Sequence, residues 1–162
     1  MFQDIQLYHM IEAVLSNPVF LKYGLIGLLA NSFLASTILP IPVEITSTAL
    51  IVGGESKLIV FLVWFIGSVM GGYFNYGIGR GGHKLFDRLK HVKHEDKKSQ
   101  SLLNKYGWII IFVAPFIPVI GDFINITAGV KRYDFRKFSI AMLAGKAVRI
   151  AIVVFVTGLI FN

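Results

Sequence analysis

The sequence predicts an all-α integral membrane protein made of two inverted repeats. Each repeat is a re-entrant helical hairpin followed by a transmembrane helix, and an N-terminal amphipathic helix precedes the first. Three observations predict this. The 162 residues are 55% hydrophobic with a mean hydropathy of +0.69, far more apolar than an ordinary soluble domain. Apolar residues gather in long runs over 19–39, 58–79 and 138–161. At a rise of ~1.5 Å per residue each is long enough, or nearly so, to cross a ~30 Å hydrocarbon core. Paired prolines break the chain twice, at Pro40 and Pro42 and at Pro115 and Pro118. The whole of 1–162 therefore reads as a single membrane domain.

The net charge of +7 comes from 16 Lys and Arg against 9 Asp and Glu. The basic residues stand between the apolar runs rather than along a groove, which suits anionic lipid headgroups and argues against nucleic acid. Cysteine is absent, so disulfides and thiolate metal sites are excluded. No Lys or Arg precedes Lys22, so the N-terminus lacks the positive region of a cleaved signal. Within 1–17, residues 6–17 instead place Leu7, Ile11, Val14 and Leu15 on one helical face, as in a helix lying in the interface.

The first hairpin is expected over 19–54. Two prolines remove two backbone donors and stop the helix at Leu39-Pro40-Ile41-Pro42. The arms, some 17 residues before the break and about 10 after, would measure roughly 25 and 15 Å; the second is too short to span. Broken backbone at membrane depth is tolerated only against protein or a wet cavity. Nearby hydroxyls (Ser36, Thr37, Thr46, Ser47, Thr48) would satisfy the freed backbone groups. A transmembrane helix is expected over 58–79, then a basic loop over 80–105.

The second hairpin, 106–129, repeats the pattern around Pro115, Pro118 and Gly121. Basic clusters flank it: Arg80, Lys84, Arg88, Lys90, Lys93, Lys97, Lys98 and Lys105 before, Lys131, Arg132, Arg136 and Lys137 after. A re-entrant path puts 80–105 and 131–137 on the cytoplasmic side together, as the positive-inside rule prefers. The last span covers 138–161. Pro42 to Gly53 and Pro118 to Gly129 are both eleven residues, the spacing expected of a repeat. Inverted repeats whose broken helices meet near the midplane commonly build transport sites.

Gly67, Gly71, Asn75 and Gly79 recur every four residues, a strip on which another backbone can lie closely, with Gly72 beside it. Close helix packing accounts for the glycines by itself; an amide such as Asn75 or Asn125 in hydrocarbon needs partners. The intramembrane charges are Glu44, Asp122, Lys146 and Arg149, and each should face inward and pair with one of opposite sign. A structural ion pair is the simpler reading of these four. Their position at helix breaks, within reach of water or a headgroup, favours a transport site. His83, His91 and His94 with Glu95 and Asp96 lack a second rigid pair to complete a metal shell. No metal, cofactor or catalytic constellation is expected.

These motifs carry a family resemblance. The chain resembles the DedA/VTT (SNARE-associated) superfamily, and most of all its small YqaA-like branch. The resemblance runs through Leu39-Pro40…Glu44, Gly71-Gly72…Ile78-Gly79-Arg80, Pro118 to Asp122, Ala128-Gly129 and Gly145-Lys146…Arg149. It implies opposed re-entrant hairpins and movement of phospholipids or polyprenyl phosphates across the cytoplasmic (inner) membrane, with proton coupling in some bacterial members. Larger members have arginines where this chain has Pro115 and Gly121, and an upstream acid where it has Asn31 and Ser32. The carboxylate pair invoked for proton coupling is thus incomplete, and Lys146 and Arg149 would supply the positive charge. The expected function is lipid translocation, with membrane lipids of anionic headgroup as partners. A small-ion or metabolite carrier and a non-transporting scaffold are the alternatives, and homo-oligomerisation stays open.

Overall fold

The computed structural model describes residues 18–37, 42–81, 101–117 and 120–160, with side chains from Tyr23 onward. The expected interfacial helix over 1–17, most of the basic loop, and the prolines at 40 and 118 lie outside the described residues. Six helices carry the fold: α1 (Pro18–Ala35), α2 (Val43–Val52), α3 (Lys57–Gly81), α4 (Trp108–Val113), α5 (Ile120–Val130) and α6 (Phe135–Ile160). A 3-10 turn over Ala114–Phe116 extends α4, and residues 101–106 are also helical. No strand occurs among the described residues.

Helix ends follow local chemistry. Pro42, extended at φ −74° and ψ 97°, stands before the first residue of α2. Gly54 takes φ +93° and Gly107 φ +57°, a region open to glycine at little cost. Gly54 turns the chain from α2 toward α3. Gly107 breaks the expected arm from Tyr106, so α4 begins at Trp108. Asp134 Oδ1 accepts the Lys137 backbone N–H at 2.8 Å, capping α6.

Among the described residues two helices are long and apolar enough to cross a membrane: α3, 25 residues, and α6, 26 residues. At ~1.5 Å per residue each exceeds 35 Å, more than the ~30 Å required. At 10 and 11 residues, α2 and α5 do not. The two long helices are antiparallel. Lys57 Nζ, at the start of α3, donates to the Gly158 carbonyl near the end of α6 at 3.0 Å. At the other end Tyr76 packs on Phe138 with ring centroids 4.5 Å apart.

Glycines decide how closely the remaining helices approach. A methyl group at Gly67 would meet Ser32 and the Leu29 carbonyl of α1, and one at Gly71 would meet the Phe33 carbonyl of α1 and Ser36 just past its end. One at Gly79 would strike the Ile126 carbonyl on α5. The four-residue strip is therefore shared: its first half carries α1, its second half α5. Gly72 lies on another face, against Met142 and Lys146 of α6. The first arms α1 and α4 pack on the spans that follow them, α3 and α6. Of the second arms, α5 packs chiefly on α3, while α2 packs on α1 and touches α3 and α6 about equally.

Two apolar cores result. One joins Leu28, Val43, Leu50, Val60, Trp64, Ile150 and Val154 around the first hairpin. The other joins Tyr76, Ile110, Ile111, Ile124, Phe138 and Met142 around the second. Along α3 the interval between cores holds Ser68 and Asn75; along α6 it holds Lys146 and Arg149. The fold is a helical membrane protein with a polar layer across its middle.

Candidate functional site

A cavity of ≈ 490 Å³ lies in this polar layer. Its walls come from four places: the first hairpin tip (Ala35, Ser36, Pro42, Val43, Glu44), the second tip (Ala114, Pro115, Ile117, Gly121, Asp122, Asn125), Trp64 and Ser68 of α3, and Lys146, Arg149 and Ile150 of α6. The tips reach it where the first arms stop, α1 at Ala35 and α4 with its 3-10 turn at Phe116. Gly121 lets the second tip close, since a methyl group would meet the Ala114 carbonyl oxygen.

All four predicted charges line this one cavity. Arg149 NH2 donates to Glu44 Oε1 at 2.7 Å, with both side chains about two-fifths exposed (39% and 41%). Lys146 differs from expectation: among the described residues it has no carboxylate in ion-pair contact. Its ammonium, on a side chain only 6% exposed, donates to Ser68 Oγ at 2.7 Å and Ser36 Oγ at 3.2 Å. Those hydroxyls lie 2.9 Å from one another. The reason is reach: Lys57 meets Gly158 at one end of the helix pair, and Ser68 lies 11 residues from Lys57 and Lys146 12 residues from Gly158, so both sit about 16–18 Å from that end. Asp122 is held by Asn75 Nδ2 at 3.3 Å.

Asn75 is fully buried and also donates to the Ser36 carbonyl at 2.9 Å, joining both hairpin tips to α3. The Asn75, Asn125 and Asn31 side-chain carbonyl oxygens are buried without a donor. Asn31 Nδ2 reaches Thr46 Oγ1 at 3.0 Å. Of the expected hydroxyl caps, Thr37 and Ser47 do return to backbone carbonyls, of Leu34 and Glu44. Ser36 instead serves Lys146. Ser68 was not singled out from the sequence, and the one available signal was its mid-helix position beside Gly67.

Gly67, Gly71, Gly72 and Gly79 pack helices and do not line the cavity. Among the described residues no three His, Cys, Asp or Glu gather closely enough to hold a metal; His83, His91 and His94 lie outside them. Chemically the cavity offers a half-exposed arginine–carboxylate pair, a buried ammonium and, among the described residues, acceptors without donors.

Fold and cavity define a class, the α-helical membrane protein with short and long helices around an internal polar site. The comparison with protein families identifies the one: the VTT domain model matches residues 19–159, and the chain belongs to that family, as a YqaA-like DedA/VTT membrane protein. It is 29% identical over 127 residues to the inner membrane protein YqaA of Escherichia coli (strain K12), covering 78% of this chain and 85% of that protein. YqaA of Shigella flexneri gives the same figures. It is 37% identical over 89 residues to undecaprenyl phosphate transporter A of Bacillus subtilis (strain 168), covering 47% of this chain and 45% of that protein. No solved structure matches significantly.

Proposed function

We propose that this protein is a DedA-type transporter that carries a lipid with an anionic headgroup, a phospholipid or polyprenyl phosphate, across the cytoplasmic membrane through the central cavity. The observation that carries the reading is the Glu44–Arg149 pair. It is an ion pair at 2.7 Å between one hairpin tip and the middle of α6, on a cavity wall, and still about two-fifths exposed. A headgroup phosphate can exchange with Glu44 as the partner of Arg149, because a guanidinium takes phosphate and carboxylate in the same bidentate way. Lys146 adds positive charge beside it. Exchange moves the headgroup without leaving an arginine unpaired in a low-dielectric interior.

The topology supports this path. Both hairpins are read as re-entrant, because their open ends meet. A methyl group on Gly24, early in α1, would press on Leu50 near the end of α2. Lys131, just after α5, donates to Asn104, ahead of α4. The packing of α5 on α3, the long helix of the other unit, with α2 reaching α6, is in keeping with an inverted repeat. With the basic segments 80–105 and 131–137 cytoplasmic, the two tips enter from opposite faces. The relative named an undecaprenyl phosphate transporter supports transport and, more loosely, a lipid substrate.

Purified protein in proteoliposomes, assayed with a panel of labelled lipids, tests the reading. The expected result is faster transbilayer movement of at least one anionic-headgroup lipid than in protein-free vesicles. Movement of none of them by folded protein would overturn it and favour the small-ion carrier or the scaffold.

A further inference from the structure

The cavity has two unlike walls. Lys146 and Arg149 stand on α6, while Asp122 and Asn125, one turn apart on α5, face the same space. Asn125 is 5% exposed, and among the described residues its side-chain carbonyl oxygen meets no donor. Asp122 has its hydrogen bond from Asn75 alone among the described residues. The Asn75 amide cannot be turned to serve Asn125. Its nitrogen donates to two acceptors, the Ser36 carbonyl and Asp122 Oδ1, and a flip would set oxygen against oxygen at both. A buried acceptor without a donor is costly and therefore selective for whatever supplies one.

Resting on the lipid-transport reading above, and narrowing it to phospholipids, zwitterionic ethanolamine lipids included, the geometry points to Asp122 and Asn125 as a headgroup-selecting subsite. It takes phosphodiester lipids whose headgroup carries an N–H or O–H donor, an ammonium or a hydroxyl, beside the phosphate. The phosphate lies against Lys146 and Arg149, and the donor reaches across to α5. A bare phosphate monoester offers oxygen acceptors and negative charge, so it suits the α6 wall and is repelled by Asp122. A trimethylammonium headgroup brings charge but no N–H, and leaves Asn125 undonated. Discrimination by a site built to receive a donor exceeds discrimination by size, because the analogue lacking it strands buried polar groups.

The test uses full-length protein in proteoliposomes with lipids of one acyl composition and four headgroups: ethanolamine, glycerol, choline and unesterified phosphate. Wild type should move the ethanolamine and glycerol lipids about tenfold faster than the other two, the effect of one hydrogen bond to a buried group. Asn125→Leu, of similar size, should bring the four rates together by slowing the donor-bearing lipids. Asp122→Asn keeps the volume and is read in the same way should Asn125→Leu fail to fold; it should erase the ethanolamine preference. Equal wild-type rates for all four headgroups, or a preference for those without donors, would overturn the subsite while leaving lipid transport standing. A wild-type preference that survives in both variants also overturns it. Failure of wild type to move any lipid overturns both readings.

Discussion

Gly79 and Gly77 lie two residues apart on α3 and differ in what stands beyond them. A methyl group at Gly79 would meet only backbone: the Ile126 carbonyl, its carbon at 2.9 Å and the Val130 nitrogen at 3.0 Å. No rotamer change can relieve that contact, so α3 and α5 must separate. At Gly77 nothing lies within 4 Å. Alanine gains about 1 kcal/mol over glycine in a helix interior, a gain common to both positions. Overpacking costs about 1–3 kcal/mol, and an unyielding backbone puts Gly79 at the upper end. Gly79→Ala should therefore destabilise by about 2 kcal/mol and Gly77→Ala stabilise by about 1. At roughly 2–4 °C per kcal/mol, the melting temperatures should lie about 6–12 °C apart. Thermal unfolding of both variants beside wild type, in one detergent, measures this. Equal shifts in the same direction would refute the packing of α5 on the strip.

Two further outcomes follow from the polar layer and the hairpins. Lys146→Met replaces a buried ammonium that has no carboxylate in contact, and leaves the Ser36 and Ser68 hydroxyls bonded to each other. Stability should stay within about 1 kcal/mol of wild type or rise, while lipid movement falls at least tenfold; a marked loss of stability would show that the ammonium holds the fold. The chain has no cysteine, so Lys105→Cys and Arg136→Cys, both exposed, give clean labels; an impermeant maleimide should reach both from the cytoplasmic side only, and labelling from opposite sides would end the re-entrant reading of 106–129.

Much of the frame was legible because it obeys solvent rules. Hydropathy placed the long helices at 58–79 and 138–161, and they run Lys57–Gly81 and Phe135–Ile160. The amphiphilic ends of a span read poorly as apolar, which explains the residues of difference. Of the prolines, Pro42 stands before α2 and Pro115 sits in the 3-10 turn that follows α4, since a missing donor acts locally; Pro40 and Pro118 lie outside the described residues. Charge balance drew Glu44, Asp122, Lys146 and Arg149 to one cavity, but not the pairing. Lys146 is held by hydroxyls 110 and 78 residues away in sequence, and a serine carries no charge or periodicity to announce that contact. The strip was legible as a close-packing face but not as one shared by two partners, because glycine records that something comes near and not what. The undonated oxygen of Asn125 appears only once every neighbour is in place.

The central claim is that Arg149 hands itself from Glu44 to a headgroup phosphate. It is tested most directly by transbilayer lipid movement in proteoliposomes containing wild type, Arg149→Gln or Arg149→Lys, each first shown to be folded by its melting profile. A half-exposed pair contributes about 1 kcal/mol or less to stability, so the variants should insert and fold. Arg149→Gln should abolish movement, and Arg149→Lys, a point charge without the bidentate fork, should keep a reduced rate. Wild-type rates in folded Arg149→Gln would contradict the account.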